Sequence, residues 1–177
     1  DNVTGNSVTQ WHGGNNLYFW DRAYEYILRI NTFLEKMDEV TITLDNKDVL
    51  VAEARFLRAW IYFNMIERFG DVPLVTETFE LGSDHTFTST PFDQVVAFIE
   101  TEFAAIMPTL PKYYSSADSN FGRPTQAICQ AVLSRMHLYA ASPLFNPNND
   151  KAKWEKMSGH THTYTEVVTN PTCTEKG

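Results

Sequence analysis

Trp11 stands close to Asn15, Asn16 and Tyr18, Tyr113 and Tyr114 are adjacent, and Phe121 lies two residues from Arg123. Flat rings beside amide or guanidinium donors suit a ligand that offers apolar C–H faces and a rim of hydroxyls, as a sugar does. The ring supplies rigid contact area and the polar groups fix orientation. The competing reading is that these aromatics seal loops onto helices, and the residues alone leave both open. Catalytic chemistry is harder to assemble. Glu100 and Glu102 have the chemistry of paired glycosidase carboxylates, but two positions apart on a helix they point to different faces, which reads as a solvated surface. His160-x-His162 places two imidazoles on one side of an extended segment without an Asp, Glu or Cys cluster at ligand spacing, and His12, His85 and His137 are isolated. No nucleophile elbow, P-loop or dinucleotide fingerprint is present. The residues therefore argue for binding rather than for an enzyme, with no cofactor and no metal.

The elements that position these residues are helices. Val49, Ala52, Phe56, Ala59, Phe63 and Ile66 repeat at helical spacing. A second stripe, Leu50, Ala54, Leu57, Ile61 and Met65, runs along another side, so this helix should be buried between neighbours. It spans about 48–69 and ends at Gly70, with Asp71-Val72-Pro73 preventing its continuation. Trp20, Tyr24, Ile27, Asn31 and Leu34 mark an earlier helix near 20–37, with Glu25 and Arg29 as an outward i,i+4 pair. Asn31 lies on the apolar stripe and needs a structural hydrogen bond, for instance to a loop carbonyl. Phe92, Val95, Ile99, Phe103 and Ile106 give a helix near 91–107, with Thr90 as the expected cap and Pro91 at its first position. The last helix, near 125–141, is expected to be capped by Thr125 and to pack through its small face Ala127, Ala131, Ser134, Leu138 and Ala141. Helices one with two and three with four are expected as antiparallel pairs, giving an all-α fold. The Ala52, Phe56, Ala59 spacing also matches the second helix of a tetratricopeptide-type repeat.

Composition narrows the partners. Apolar residues make up 43% and aromatics 14% of the chain, which supports a packed core. A formal charge of −8 argues against nucleic acid and fits neutral ligands or cationic partners. No apolar run approaches the ~20 residues of a membrane-spanning helix. Cys129 and Cys173 form no C-x-x-C motif or disulfide framework.

The phrase AEARFLRAWIYFNMIERFGDVPLV, Ala52 to Val75, resembles the SusD/RagB family of outer-membrane nutrient-binding lipoproteins. Three other stretches fit in order: Trp20 to Leu34, Phe121-Gly122-Arg123-Pro124-Thr125, and Ser142-Pro143-Leu144-Phe145-Asn146. The resemblance implies divergent tetratricopeptide-like helical pairs with long loops, and an oligosaccharide or polysaccharide as ligand. It also implies a SusC-like TonB-dependent barrel transporter as partner and a lipid anchor at the cell surface. The anchor's signal peptide and lipid-bearing cysteine are not seen in a chain beginning at Asp1. On this reading residues 1–19 are an irregular N-terminal segment and 20–145 a SusD-like helical domain. Residues 146–177 are an atypical tail, since a further alanine-rich helix is expected after Trp154 and is absent from the sequence. The ligand-contacting residues would be Trp11, Asn15, Tyr18, Tyr113 and Tyr114. The alternative is a helical-repeat module that binds another protein and no small ligand.

Overall fold

In a computed structural model of the chain, the described residues are 16–40, 46–79, 87–148 and 150–153, the side chains of 16–18 excepted. They form helices α1 (Asn16–Glu39), α2 (Lys47–Phe69), α3 (Phe92–Ile106) and α4 (Gln126–Ala141). The fold is all-α, and among the described residues β pairing is confined to an isolated antiparallel bridge between Val72 and Thr90.

α1 begins at Asn16, four residues before the expected start at 20, and Phe19 in that added turn packs against the core. Its inner face carries Ala23, Ile27, Asn31 and Met37, at spacings of 4, 4 and 6 that keep one side buried. Glu25 and Arg29 form the expected pair at 2.6 Å on the exposed side. α2 is the centre of the fold and packs extensively on α1 and α3, while α4 touches α3 and α2 more lightly. The expected pairing of helix three with helix four is thus the weaker contact. Phe56 of α2 stacks on Phe103 of α3 at 5.4 Å between ring centroids, and the edge of Tyr62 meets Phe98 at 5.6 Å.

The first stripe of α2 is buried from Ala52 to Ile66, but the second opens to water at Leu50 and Leu57. Leu57 is shared by two shallow apolar grooves, one of about 400 Å³ against α1 and one of about 410 Å³ against α4. α2 is therefore not covered on all sides by the described residues.

Gly70 ends α2 with φ of 71°, a backbone region that glycine enters without a Cβ penalty, and its N–H reaches the carbonyl of Ile66 at 3.1 Å. The next residues set the start of α3. Asp71 Oδ1 accepts from the backbone N–H of Phe92 at 2.8 Å, so the cap comes from across the bridge. Thr90, expected as that cap, instead accepts from the N–H of Leu74 and exchanges backbone bonds with Val72. Thr125 does cap α4, accepting from Ile128 at 3.3 Å. The buried side of α4 is centred on Cys129, Val132, Leu133, Met136 and Ala140; of the expected small-residue face Ala141 is buried, Ala127, Ala131 and Ser134 are half-buried and Leu138 is mostly exposed. Larger apolar side chains bury more area, so they set the rotation of the helix.

After α4, Phe145 stacks on Phe92 at 4.0 Å, and Lys153 bonds Asp93 at 2.7 Å. Residues 146–153, grouped with the tail by their sequence, thus include a buried Asn146 and contacts back to the start of α3.

Candidate functional site

Two regions concentrate polar chemistry. The first is a cleft of about 640 Å³ lined by α1, α2, the segment after Pro73 and Glu102 of α3. Its floor is a buried network. Asn31 Nδ2 donates to the carbonyls of Val75 and Glu77 at 3.2 and 3.0 Å, which is the loop contact its position on the stripe required. Arg58 donates to Asn31 Oδ1 at 2.8 Å and to Glu102 Oε2 at 2.9 Å, and Arg55 holds Glu102 Oε1 at 2.8 Å. Glu102 is therefore buried and paired, not part of a solvated surface, because two arginines three residues apart on α2 compensate its charge. Burial alone would raise its carboxyl pKa, but the hydrogen bonds from Arg55 and Arg58 outweigh it and hold the group below the ordinary carboxylate range. Glu100 is also engaged: its Oε1 lies 2.7 Å from Nε2 of His137, so that histidine is not isolated.

Next to this network the strap of Val72 to Val75 is tied down by two phenols. Tyr24 donates to the carbonyl of Pro73 at 2.8 Å. Tyr62 donates to the carbonyl of Val75 at 2.9 Å and accepts from its N–H at 2.7 Å. Burial pushes the Tyr62 phenol up to about 12, so it remains a protonated donor. Asn31, Arg55, Arg58 and Glu102 in the cleft floor thus each bond across to another element, with Arg58 Nε left without a hydrogen-bond partner.

The second region is the segment between α3 and α4. Its neck is closed by Gln126, whose backbone N–H reaches the carbonyl of Pro111 at 2.9 Å and whose side chain reaches that of Leu110 at 2.7 Å. Inside, Phe121 N–H donates to the Asp118 carbonyl, Asn120 N–H to Asp118 Oδ1, and Gly122 takes φ of 97°. Arg123 donates to Asn120 Oδ1 at 2.9 Å and forms an ion pair with Glu53 of α2. On this fixed frame Tyr113 is 76% exposed and Phe121 64% exposed. Tyr114 is half-buried.

The residues expected to contact a ligand are distributed unevenly. Tyr113 and Tyr114 share this pinned loop with Phe121 and Arg123, a grouping of two clusters that the sequence left separate. Trp11 and Asn15 lie outside the described residues, as do His160 and His162, and Tyr18 is placed only by its backbone, in the first turn of α1. Among the described residues no group of three or more His, Cys, Asp or Glu has the arrangement to hold a metal ion. No described helix is long and apolar enough to cross a membrane.

This helical frame has known counterparts. A SusD-like family model, described as starch-binding and associating with the outer membrane, matches residues 1–138. The chain belongs to that family. It is 25% identical over 123 residues to SusD-like protein P2 of Formosa agariphila, a match covering 68% of this chain and 23% of that protein. Among solved structures, a SusD-like carbohydrate-binding protein from Bacteroides fragilis is similar at a TM-score of 0.69 and 26% identity, over 86% of this chain and 27% of that one. Surface glycan-binding protein A from Bacteroides uniformis matches at a TM-score of 0.66 and 29% identity, over 90% of this chain and 33% of that one. The chain thus spans about a quarter of the length of the curated relative it matches.

Proposed function

We propose that this chain is a carbohydrate-binding component at a bacterial cell surface. It captures an oligosaccharide and passes it to a SusC-like, TonB-dependent barrel transporter while held to the outer membrane by a lipid anchor. The helical unit 20–145 serves as scaffold, and Trp11, Asn15, Tyr18, Tyr113 and Tyr114 serve as ligand contacts. Such a protein acts by equilibrium capture and release, so it needs no nucleophile or acid–base pair. Family membership supports this reading, and one observation carries it to the residues: Tyr113 stands open to water on a loop whose neck and interior are held by hydrogen bonds. An aromatic that contributes nothing to the core, on a frame that does not collapse around it, is what a stacking ligand uses.

The test is affinity electrophoresis of the chain against a panel of soluble polysaccharides, beside thermal melts. Retardation by at least one glycan is expected. Trp11→Ala should weaken it roughly tenfold, the ~1.4 kcal/mol of one aromatic contact, with the melting temperature unchanged. Unaltered affinity with a lowered melting temperature moves Trp11 to the scaffold. A second reading, a protein-binding helical module, is favoured by the ridge at Leu57 between its two apolar grooves. It gains if no glycan retards the chain.

A further inference from the structure

We propose that the α3–α4 loop selects uncharged glycan chains over uronate- or sulfate-bearing ones, with Glu53 as the positioning residue that withholds Arg123 from anions. This rests on the carbohydrate-binding reading above and adds the ligand class and the element that sets it.

The argument starts from what the loop offers. Tyr113 and Phe121 present apolar ring surface, which every pyranose can use whatever its charge. Charge discrimination must then come from the cations nearby, and a free arginine would be the natural fork for a carboxylate or sulfate. Arg123 is not free. Its charge is matched by Glu53, which one terminal nitrogen meets, while the other donates to Asn120 Oδ1 at 2.9 Å.

The pair is hard to open from the Glu53 side. Glu53 is 8% exposed, and its second oxygen, Oε1, already lacks a hydrogen-bond partner. An anionic ligand that took Arg123 would leave a buried carboxylate with no counter-charge. The loop's remaining cation, Lys112, is exposed and formally offset by Asp118. Beyond the loop, the chain's net charge of −8 repels a polyanion at long range. What remains for the ligand is two rings and neutral hydrogen-bonding groups, a match for hydroxyls.

The experiment takes whichever neutral polysaccharide retards the chain and compares it with its own carboxymethylated derivative, at low and at high salt. The neutral polymer should bind with an affinity that salt leaves unchanged, and the derivative at least about tenfold more weakly. Phe121→Ala should weaken the neutral polymer without moving the melting temperature. Glu53→Gln releases Arg123, so it should narrow or reverse the preference and introduce salt dependence for the derivative. Should that variant not fold, the comparison of the two polymers on the unaltered chain still decides. A derivative that binds the unaltered chain as tightly as its parent, or more tightly at low salt, overturns the selectivity and leaves carbohydrate binding standing. A panel in which only charged polysaccharides retard the chain overturns the selectivity alone, and one in which none does overturns the carbohydrate reading itself.

Discussion

Arg58 and Arg123 each meet a glutamate from another part of the chain, yet the two contacts sit in different surroundings. Arg58 and Glu102 have side chains 9% and 7% exposed, and Asn31 and Arg55 complete their bonding. Arg123 is 39% exposed, with only its Glu53 end buried. The inner pair joins three helices and the strap of Val75, so it specifies how the fold closes. The outer pair fixes one loop and leaves its aromatic tips in water. The same two residue types thus build a structural lock between helices in one place and an anchor for a single exposed loop in the other. Water access to the arginine makes the difference.

Breaking the inner pair should have the largest effect. Glu102→Ala strands Arg58 and is expected to cost about 3–5 kcal/mol in urea denaturation. A loss below about 1 kcal/mol would place the network outside the stabilising core. Next comes acid. Glu102 titrates below its ordinary range in the fold, while the unfolded chain takes up its proton nearer the usual ~4.3. As pH drops the unfolded state therefore protonates first, and stability that is complete above the unfolded value fades as pH passes the folded one. Glu102→Gln should flatten this acid limb relative to the parent, and a parallel limb would assign the effect to other carboxylates. Tyr62→Phe removes a hydroxyl that serves both backbone groups of Val75 and should cost about 1–3 kcal/mol. Glu53→Gln removes the buried charge and leaves Arg123 39% exposed to water, so it should cost about 1 kcal/mol or less. Tyr113→Ala closes the series with a shift within about 0.5 kcal/mol, since a ring 76% exposed buries little area. A larger shift there would show that the loop borrows stability from its tip.

The helices were legible because period and punctuation agreed: apolar spacing marks α1 to α3, and Gly70 and Thr125 mark two ends. Asn31 was legible as a polar residue on an apolar stripe, which demands a partner. Glu102 was not. Its offset from Glu100 separates the two carboxylates onto different faces, but it does not say that both faces meet water. The available signal was Arg55 and Arg58, two cations on a helix otherwise rich in apolar side chains, which need a buried anion. The cap of α3 was missed for a related reason. Thr90-Pro91 is a sound local signature, yet the bridge to Val72 draws Thr90 away and delivers Asp71 from twenty-one residues earlier. For the candidate site, the sequence marked Tyr113 and Tyr114 as loop aromatics, and the structure leaves Tyr113 exposed. Their joining with Arg123 was not legible, because it depends on the neck at Gln126 and the anchor at Glu53, both made by folding.

Cys129 turns the light packing of α4 into something that can be timed. Its side chain is wholly covered, and burial pushes the thiol up to about 12, so at neutral pH almost none of it is thiolate. Reaction with an alkylating reagent then has to wait for α4 to lift away from α2 and α3. With Cys173 replaced by serine, the alkylation rate becomes a clock for that detachment. If it runs faster than global unfolding, α4 opens alone, and each opening would also loosen the Thr125 end of the loop that carries Tyr113.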